Sequence, residues 1–190
     1  MTARTHDAFA FASLVTVAAF YPPQSLNVAT LFTCLVGNIV GALTPDLDQA
    51  SNRLWDLLPA GNIIGRLFRP LLLGHRTLSH SLLGGLLYYK ALELILPKIL
   101  NINYVDVSIV LASVMIGFVS HLFSDSLTKE GLPLFFPFKI KVGIPPTPVL
   151  RITTGGLIEK IVILPLVAVY LAWLVNYKAE VLLNVLKLLD

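Results

Sequence analysis

Five apolar runs, at about residues 7–21, 26–43, 80–98, 104–124 and 157–176, leave this chain of 190 residues few ways to fold. Each approaches the ~20 residues that cross a hydrocarbon core as a helix. Only 13% of the residues are charged, against ~25% in an ordinary soluble domain, and the mean hydropathy is +0.79. In lipid a helix satisfies its own backbone donors and acceptors. The expected architecture is therefore an all-α bundle of about five transmembrane helices, in a single membrane-embedded domain over 1–190.

The first run ends at Pro22-Pro23 and is short for a span. Arg4 ahead of it gives it a signal-peptide look, but the cleavage pattern is weak, so a retained helix is expected. The second contains Gly37-x-x-x-Gly41, a spacing that admits a close helix neighbour. The third ends near Pro97, the fourth carries Asp106 near its start, and the fifth closes on Trp173 and Tyr177 as interface anchors. Two long polar connections remain, 44–79 and 125–156. Within the first, 62–73 reads as an interfacial amphipathic helix with Arg66 and Arg69, interrupted at Pro70. Within the second, Phe138–Val142 and Val149–Thr153 flank Pro145-Pro146 and suggest a small hairpin near 138–153. Cys34 is the one cysteine, so no disulfide framework and no thiolate zinc site is available.

Counting alternations through five spans puts the N-terminus and both connections on one side. Nine basic residues lie there: Arg4, Arg53, Arg66, Arg69, Arg76, Lys129, Lys139, Lys141 and Arg151. The opposite side holds Lys98, Lys178 and Lys187. The positive-inside rule makes the basic side cytoplasmic, in a multi-pass inner (plasma) membrane protein. A net charge of +3 is too small to indicate a nucleic-acid partner; membrane lipids are the expected surroundings.

The same count gathers every histidine. His6, His75, His80 and His121 fall on the basic side with Asp46, Asp48 and Asp125, at helix ends or just beyond. His121 and Asp125 stand four apart, on one helical face. They can grip one ion, or the carboxylate can orient the imidazole; a helix-end hydrogen bond explains the pair equally well. His75 and His80 converge if His75 sits in the loop and His80 in the first turn of the third helix, with Ser79 or Thr77 as N-cap. Arg76 between them suits a phosphate or carboxylate group, or anchors the positive face. Asp46-x-Asp48 after Pro45 suits a divalent cation or a capped turn. Together these donors form a nitrogen and oxygen set without sulfur. It fits a divalent ion, zinc foremost, with manganese or iron as alternatives. One metal or two would fit, and two-metal sites serve phosphate-ester hydrolysis. Lys90 and Glu93, i,i+3 in the third helix, read as a structural pair. Glu159 reads as a helix N-terminal acid ahead of a further ligand.

With these motifs in order, the chain resembles the YdjM-type family of membrane-bound, metal-dependent hydrolases. The matching elements are Thr5-His6, Pro45-Asp46-Leu47-Asp48, His75-Arg76-x-x-Ser79-His80-Ser81 and His121-x-x-x-Asp125-x-x-Thr128-x-x-Gly131, with an echo at Thr154-Gly155-x-x-x-Glu159. The resemblance implies a multi-pass inner-membrane protein with His and Asp ligands and a hydrolase activity. Phe9 stands near a place where the family often has a small residue.

The expectation is a metal-dependent hydrolase acting on a lipid or lipid-linked phosphate or ester. Asp48 or His80 would take the proton and Arg76 would hold the anionic group. A metal-independent phosphatase with a phospho-histidine intermediate fits less well. Its Arg-x5-His-x3-Asp pattern lacks the Arg six residues before His121, and its Pro-Ser-Gly-His companion is missing. The non-enzymatic alternative is a metal-binding sensor, regulator or scaffold. Transport is disfavoured because the ligands collect at one face rather than near the midplane.

Overall fold

Helices account for the fold of this computed structural model, which describes residues 1–48, 55, 63, 77–138 and 140–189; the side chain of Asp48 is outside that description. The α-helices among them are α1 Ala3–Phe20, α2 Val28–Leu43, α3 Leu82–Ile99, α4 Val107–Ser126, α5 Leu164–Tyr177 and α6 Ala179–Leu186. No strand forms among the described residues. Among the described residues, three segments are long and apolar enough to cross a membrane: Val28–Leu47, Val107–Ser126 and Glu159–Tyr177. The other two expected spans, α1 and α3, are 18 residues each, about 27 Å at 1.5 Å per residue. They carry more polar character, with Arg4 and Asp7 on α1 and Lys90, Glu93 and Lys98 on α3.

Local chemistry sets the helix ends. Asn27 caps α2 by accepting from the Thr30 amide at 2.7 Å. Asp106 caps α4 by accepting from the amides of Ser108 and Ile109. α3 is capped by Ser81, which accepts from the Gly84 amide at 3.0 Å, and not by the expected Ser79 or Thr77. Its hydroxyl also donates to the Leu78 carbonyl, closing a 3-10 turn, Leu78–His80, ahead of the helix. α3 runs through Pro97 to Ile99. α1 starts four residues earlier than its apolar run, so Thr5 and His6 lie in its first turns. A π-helical turn, Glu159–Ile163, precedes α5; Pro165 has no amide to give the regular bond there.

α4 is the central helix and packs against α1, α2 and α3. Its closest partner is α2, which runs in the same direction. A Cβ on Gly41 would lie 2.0 Å from the Val114 carbonyl, and one on Gly117 would lie 2.0 Å from the Asn38 carbonyl. Only glycine admits that approach, so the Gly37-x-x-x-Gly41 spacing is used as expected. The contact is tied by Ser113 donating to the Cys34 carbonyl at 2.7 Å and Asn38 donating to the Ser113 carbonyl at 3.2 Å. Cys34, Leu96, Val110 and Val114 fill the core toward one end; Phe118, Leu122 and Leu132 fill it toward the other.

The expected hairpin near 138–153 does not form. Val142 pairs instead with Leu132, and Ile152 with Thr128. The reason is Arg151, whose buried guanidinium donates to the carbonyls of Pro145 and Pro146, each at 2.6 Å, and of Gly143. Those carbonyls and the two prolines, which have no amide, are withdrawn from any ladder between the two segments. Both segments then close over the turn after α4. Gly131 in that turn has φ +62°, a conformation glycine adopts without strain.

Candidate metal centre

The helix ends build one polar pocket at one end of the bundle. α1, α3 and the π turn before α5 begin there, and α2 and α4 finish there. α1 supplies His6. The 3-10 turn Thr44–Asp48 after α2 supplies Asp46. The 3-10 turn before α3 supplies His80, and α4 supplies His121 and Asp125. Five of the seven ligand candidates thus converge. His75, Arg76 and Lys139 lie outside the described residues, as does the 62–73 segment apart from Ile63.

The donor atoms face one another at short range. His6 Nε2 is 3.3 Å from Asp125 Oδ1. His80 Nε2 is 3.4 Å from Asp46 Oδ1 and 3.7 Å from Asp125 Oδ2. His121 Nε2 is 3.8 Å from Asp46 Oδ1 and 3.7 Å from Asp125 Oδ2. Donors about 2.1 Å from a tetrahedral ion lie roughly 3.4 Å apart, so these separations are of coordination size. His6, His80, His121 and Asp125 are at most 2% exposed, while the Asp46 side chain is 25% exposed and marks the accessible side. The Met1 amino group donates to Asp125 Oδ1.

Hydrogen bonds behind the rings fix which nitrogens point inward. The Ala42 carbonyl can only accept, so His121 Nδ1–H donates to it at 2.7 Å. Ser124 Oγ donates its proton to the His121 carbonyl. It must therefore accept from His6 Nδ1–H, at 2.7 Å. Both rings thus carry an Nε2 lone pair directed into the pocket. Those two Nε2 atoms are buried and make no hydrogen bond among the described residues. Buried polar atoms without a partner are rare and call for an occupant. His80 Nδ1 lies 3.0 Å from Ser79 Oγ. A ring held from behind by its other nitrogen is the usual support of a metal-bound histidine. The residues present fit a divalent ion: His6, Asp46 and His121 form one group with ligand atoms within 4.8 Å of one another, and His80, His121 and Asp125 form another.

Several supporting residues escaped sequence reasoning. Ser124 reads locally as helix termination but is fully buried behind His6. Glu159 is neither a bare helix-dipole acid nor a described ligand. It accepts from the Thr2 amide and hydroxyl, each at 2.7 Å, from Thr5 Oγ1 at 2.6 Å and from the Gly155 amide at 2.7 Å. That staple holds the start of α1, and with it His6. Trp55 Nε1 donates to the Leu47 carbonyl at 3.0 Å and steadies the turn bearing Asp46. The Tyr88 hydroxyl donates to Thr44 Oγ1, whose own proton goes to the Val40 carbonyl. The signal available for Glu159 was Thr154-Gly155-x-x-x-Glu159; nothing local pointed to Trp55.

The chain is similar to known proteins over most of its length. It is 30% identical over 164 residues to the uncharacterized protein YvsG of Bacillus subtilis (strain 168), covering 86% of this chain and 88% of that one. It is 27% identical over 146 residues to the inner membrane protein YdjM of Escherichia coli (strain K12), covering 76% and 70%. No solved structure matches it. The profile of the family described as YdjM inner membrane protein matches residues 1–185, and the chain belongs to that family.

Proposed function

We propose that the chain is a metal-dependent hydrolase of the inner membrane, acting at the cytoplasmic face on a lipid or lipid-linked phosphate or ester. The observation that carries this reading is the pair of inward-facing, unbonded Nε2 atoms of His6 and His121 beside two carboxylates. A bound divalent ion, zinc foremost, supplies an electrophile and an activated water at neutral pH. Asp48 takes the proton and Arg76 holds the anionic group of the substrate. His80 is assigned to the ion rather than to the proton, because its Nε2 faces both Asp46 and Asp125. Asp46, the exposed donor, lies where substrate enters. The excess of basic residues on this side supports the cytoplasmic assignment.

A lipid substrate is supported by an apolar cleft of about 720 Å³ between α1, α4 and α5. Phe9, Ala12, Thr16, Phe123 and Tyr170 are among its walls. Phe9 stands one helical turn from His6, and Phe123 stands beside Ser124. A chain lying in the cleft would bring its head group toward the pocket. The test is hydrolysis of a phospholipid panel by detergent-purified protein, with and without chelator. Turnover abolished by chelation and restored by zinc is expected. Turnover indifferent to chelation would overturn the metal-dependent reading.

A non-enzymatic metal-binding role, as sensor, regulator or scaffold, is favoured by one observation. Four of the five donors are almost fully enclosed, and closed cages are typical of structural ions. Tight metal binding without turnover on the whole panel would select it.

A further inference from the structure

His6 and His121 stack face to face, with ring centroids 3.8 Å apart and planes inclined by only 8°. An imidazole nitrogen binds a metal along a lone pair that lies in its ring plane. Stacked carbon atoms approach no closer than about 3.5 Å, so an ion midway between the rings would sit roughly 1.8 Å out of each plane. With an Nε2–metal bond of about 2.1 Å, that ion would be roughly 60° off both lone pairs. One ion cannot serve both rings in this arrangement, although their donors lie within 4.8 Å of each other. His80 behaves differently. Its ring is inclined by 66° to His121, so the two lone pairs can cross at one point.

Asp125 divides its oxygens in the same way. Oδ1 faces His6 Nε2 at 3.3 Å and accepts from the Met1 amino group, which an ion at His6 would displace. Oδ2 faces His80 and His121, both at 3.7 Å. Asp46 Oδ1 joins the second group, 3.4 Å from His80 and 3.8 Å from His121. By shortest approach the donors sort into two sets joined by the Asp125 carboxylate, with Asp46 also within 4.8 Å of His6.

We propose that the pocket holds two divalent ions bridged by Asp125, one carried by His6 and the other by His80, His121 and Asp46. The inference rests on the metal reading above and deepens it. Ions lying in the two ring planes would be separated by at least about 3.5 Å, which is compatible with the ~3.5–4 Å that paired catalytic ions keep. The His6 ion has fewer described ligands, which leaves positions for water and a substrate oxygen. The second ion has more protein ligands and lies on the accessible side that Asp46 marks. A pair held in this way by His6, Asp125, Asp46, His80 and His121 would supply the activated oxygen and the positive charge that displacement at a phosphate ester uses.

The experiment is Mn²⁺ loading of chelator-stripped, detergent-purified protein, read by metal content and by electron paramagnetic resonance. Two Mn²⁺ per chain with an exchange-coupled spectrum are expected. One Mn²⁺ per chain with an isolated-ion spectrum would overturn the pair and leave the metal reading standing. No bound Mn²⁺ would overturn the pair, and no uptake of Zn²⁺ by the same stripped protein would overturn the metal reading as well. His6→Ala should retain one Mn²⁺ and lose the coupling; a folded variant that keeps two coupled ions would also overturn the assignment. The wild-type spectrum decides the matter even if that variant fails to fold.

Discussion

Two groups of ionisable side chains sit in this apolar bundle, and they are treated in opposite ways. Lys90 and Glu93 pair at 2.6 Å on the outer face of α3, with 60% and 44% of their side chains exposed. No other ionisable group contacts that pair closely enough to form a salt bridge among the described residues. At the pocket, His6, His80, His121 and Asp125 are withdrawn almost completely, and serine hydroxyls or a main-chain carbonyl stand behind each imidazole. An exposed ion pair neutralises itself and asks nothing of the fold. Buried donors with matched supports call for a compensating charge; the Met1 amino group meets one oxygen of Asp125, and a divalent ion would supply the rest. The comparison teaches that enclosure and support, rather than the presence of charge in a membrane helix, mark the functional region.

Substitutions can break that contrast. The largest effect is expected for Asp125→Ala, which removes the carboxylate facing all three described histidines. Metal content measured after dialysis should fall to zero while the protein still inserts. Glu159→Ala leaves the Thr2 and Gly155 amides without their buried acceptor. It should cost about 3 kcal/mol, seen as a lower thermal midpoint in detergent, with metal affinity reduced through the loosened start of α1. Ser124→Ala removes the acceptor behind His6 and a helix-local bond to the His121 carbonyl. A 10–100-fold loss of affinity is expected from lost second-shell support, read by competition with a chelating dye, with little change in thermal midpoint. Lys90→Ala combined with Glu93→Ala should change neither metal content nor affinity. A metal loss there comparable to that of Ser124→Ala would erase the distinction between the two regions.

How much of this was legible in the sequence depends on whether a feature is periodic or tertiary. The helices follow from apolar runs whose backbone has no other solution in lipid. His121 and Asp125 follow from a spacing of four. The convergence of His6, Asp46 and His80 on them follows from counting helices, because alternation brings alternate helix ends together. The supports were not legible. His121 meets the Ala42 carbonyl because Gly41 and Gly117 let α2 and α4 touch, and the spacing of the glycines does not name the carbonyl they expose. Glu159 meets Thr2 and Thr5 across more than 150 residues. The hairpin was misread because the pattern of 138–153 carries no sign that Arg151 would turn back on its own loop.

The central claim is that the buried histidines and carboxylates hold metal. Elemental analysis of wild-type protein, purified in detergent without added metal, tests it most directly. The account predicts one or two equivalents of a divalent ion per chain, removed by strong chelator and recovered on adding zinc. Folded wild-type protein that carries no divalent ion and takes up none would contradict it.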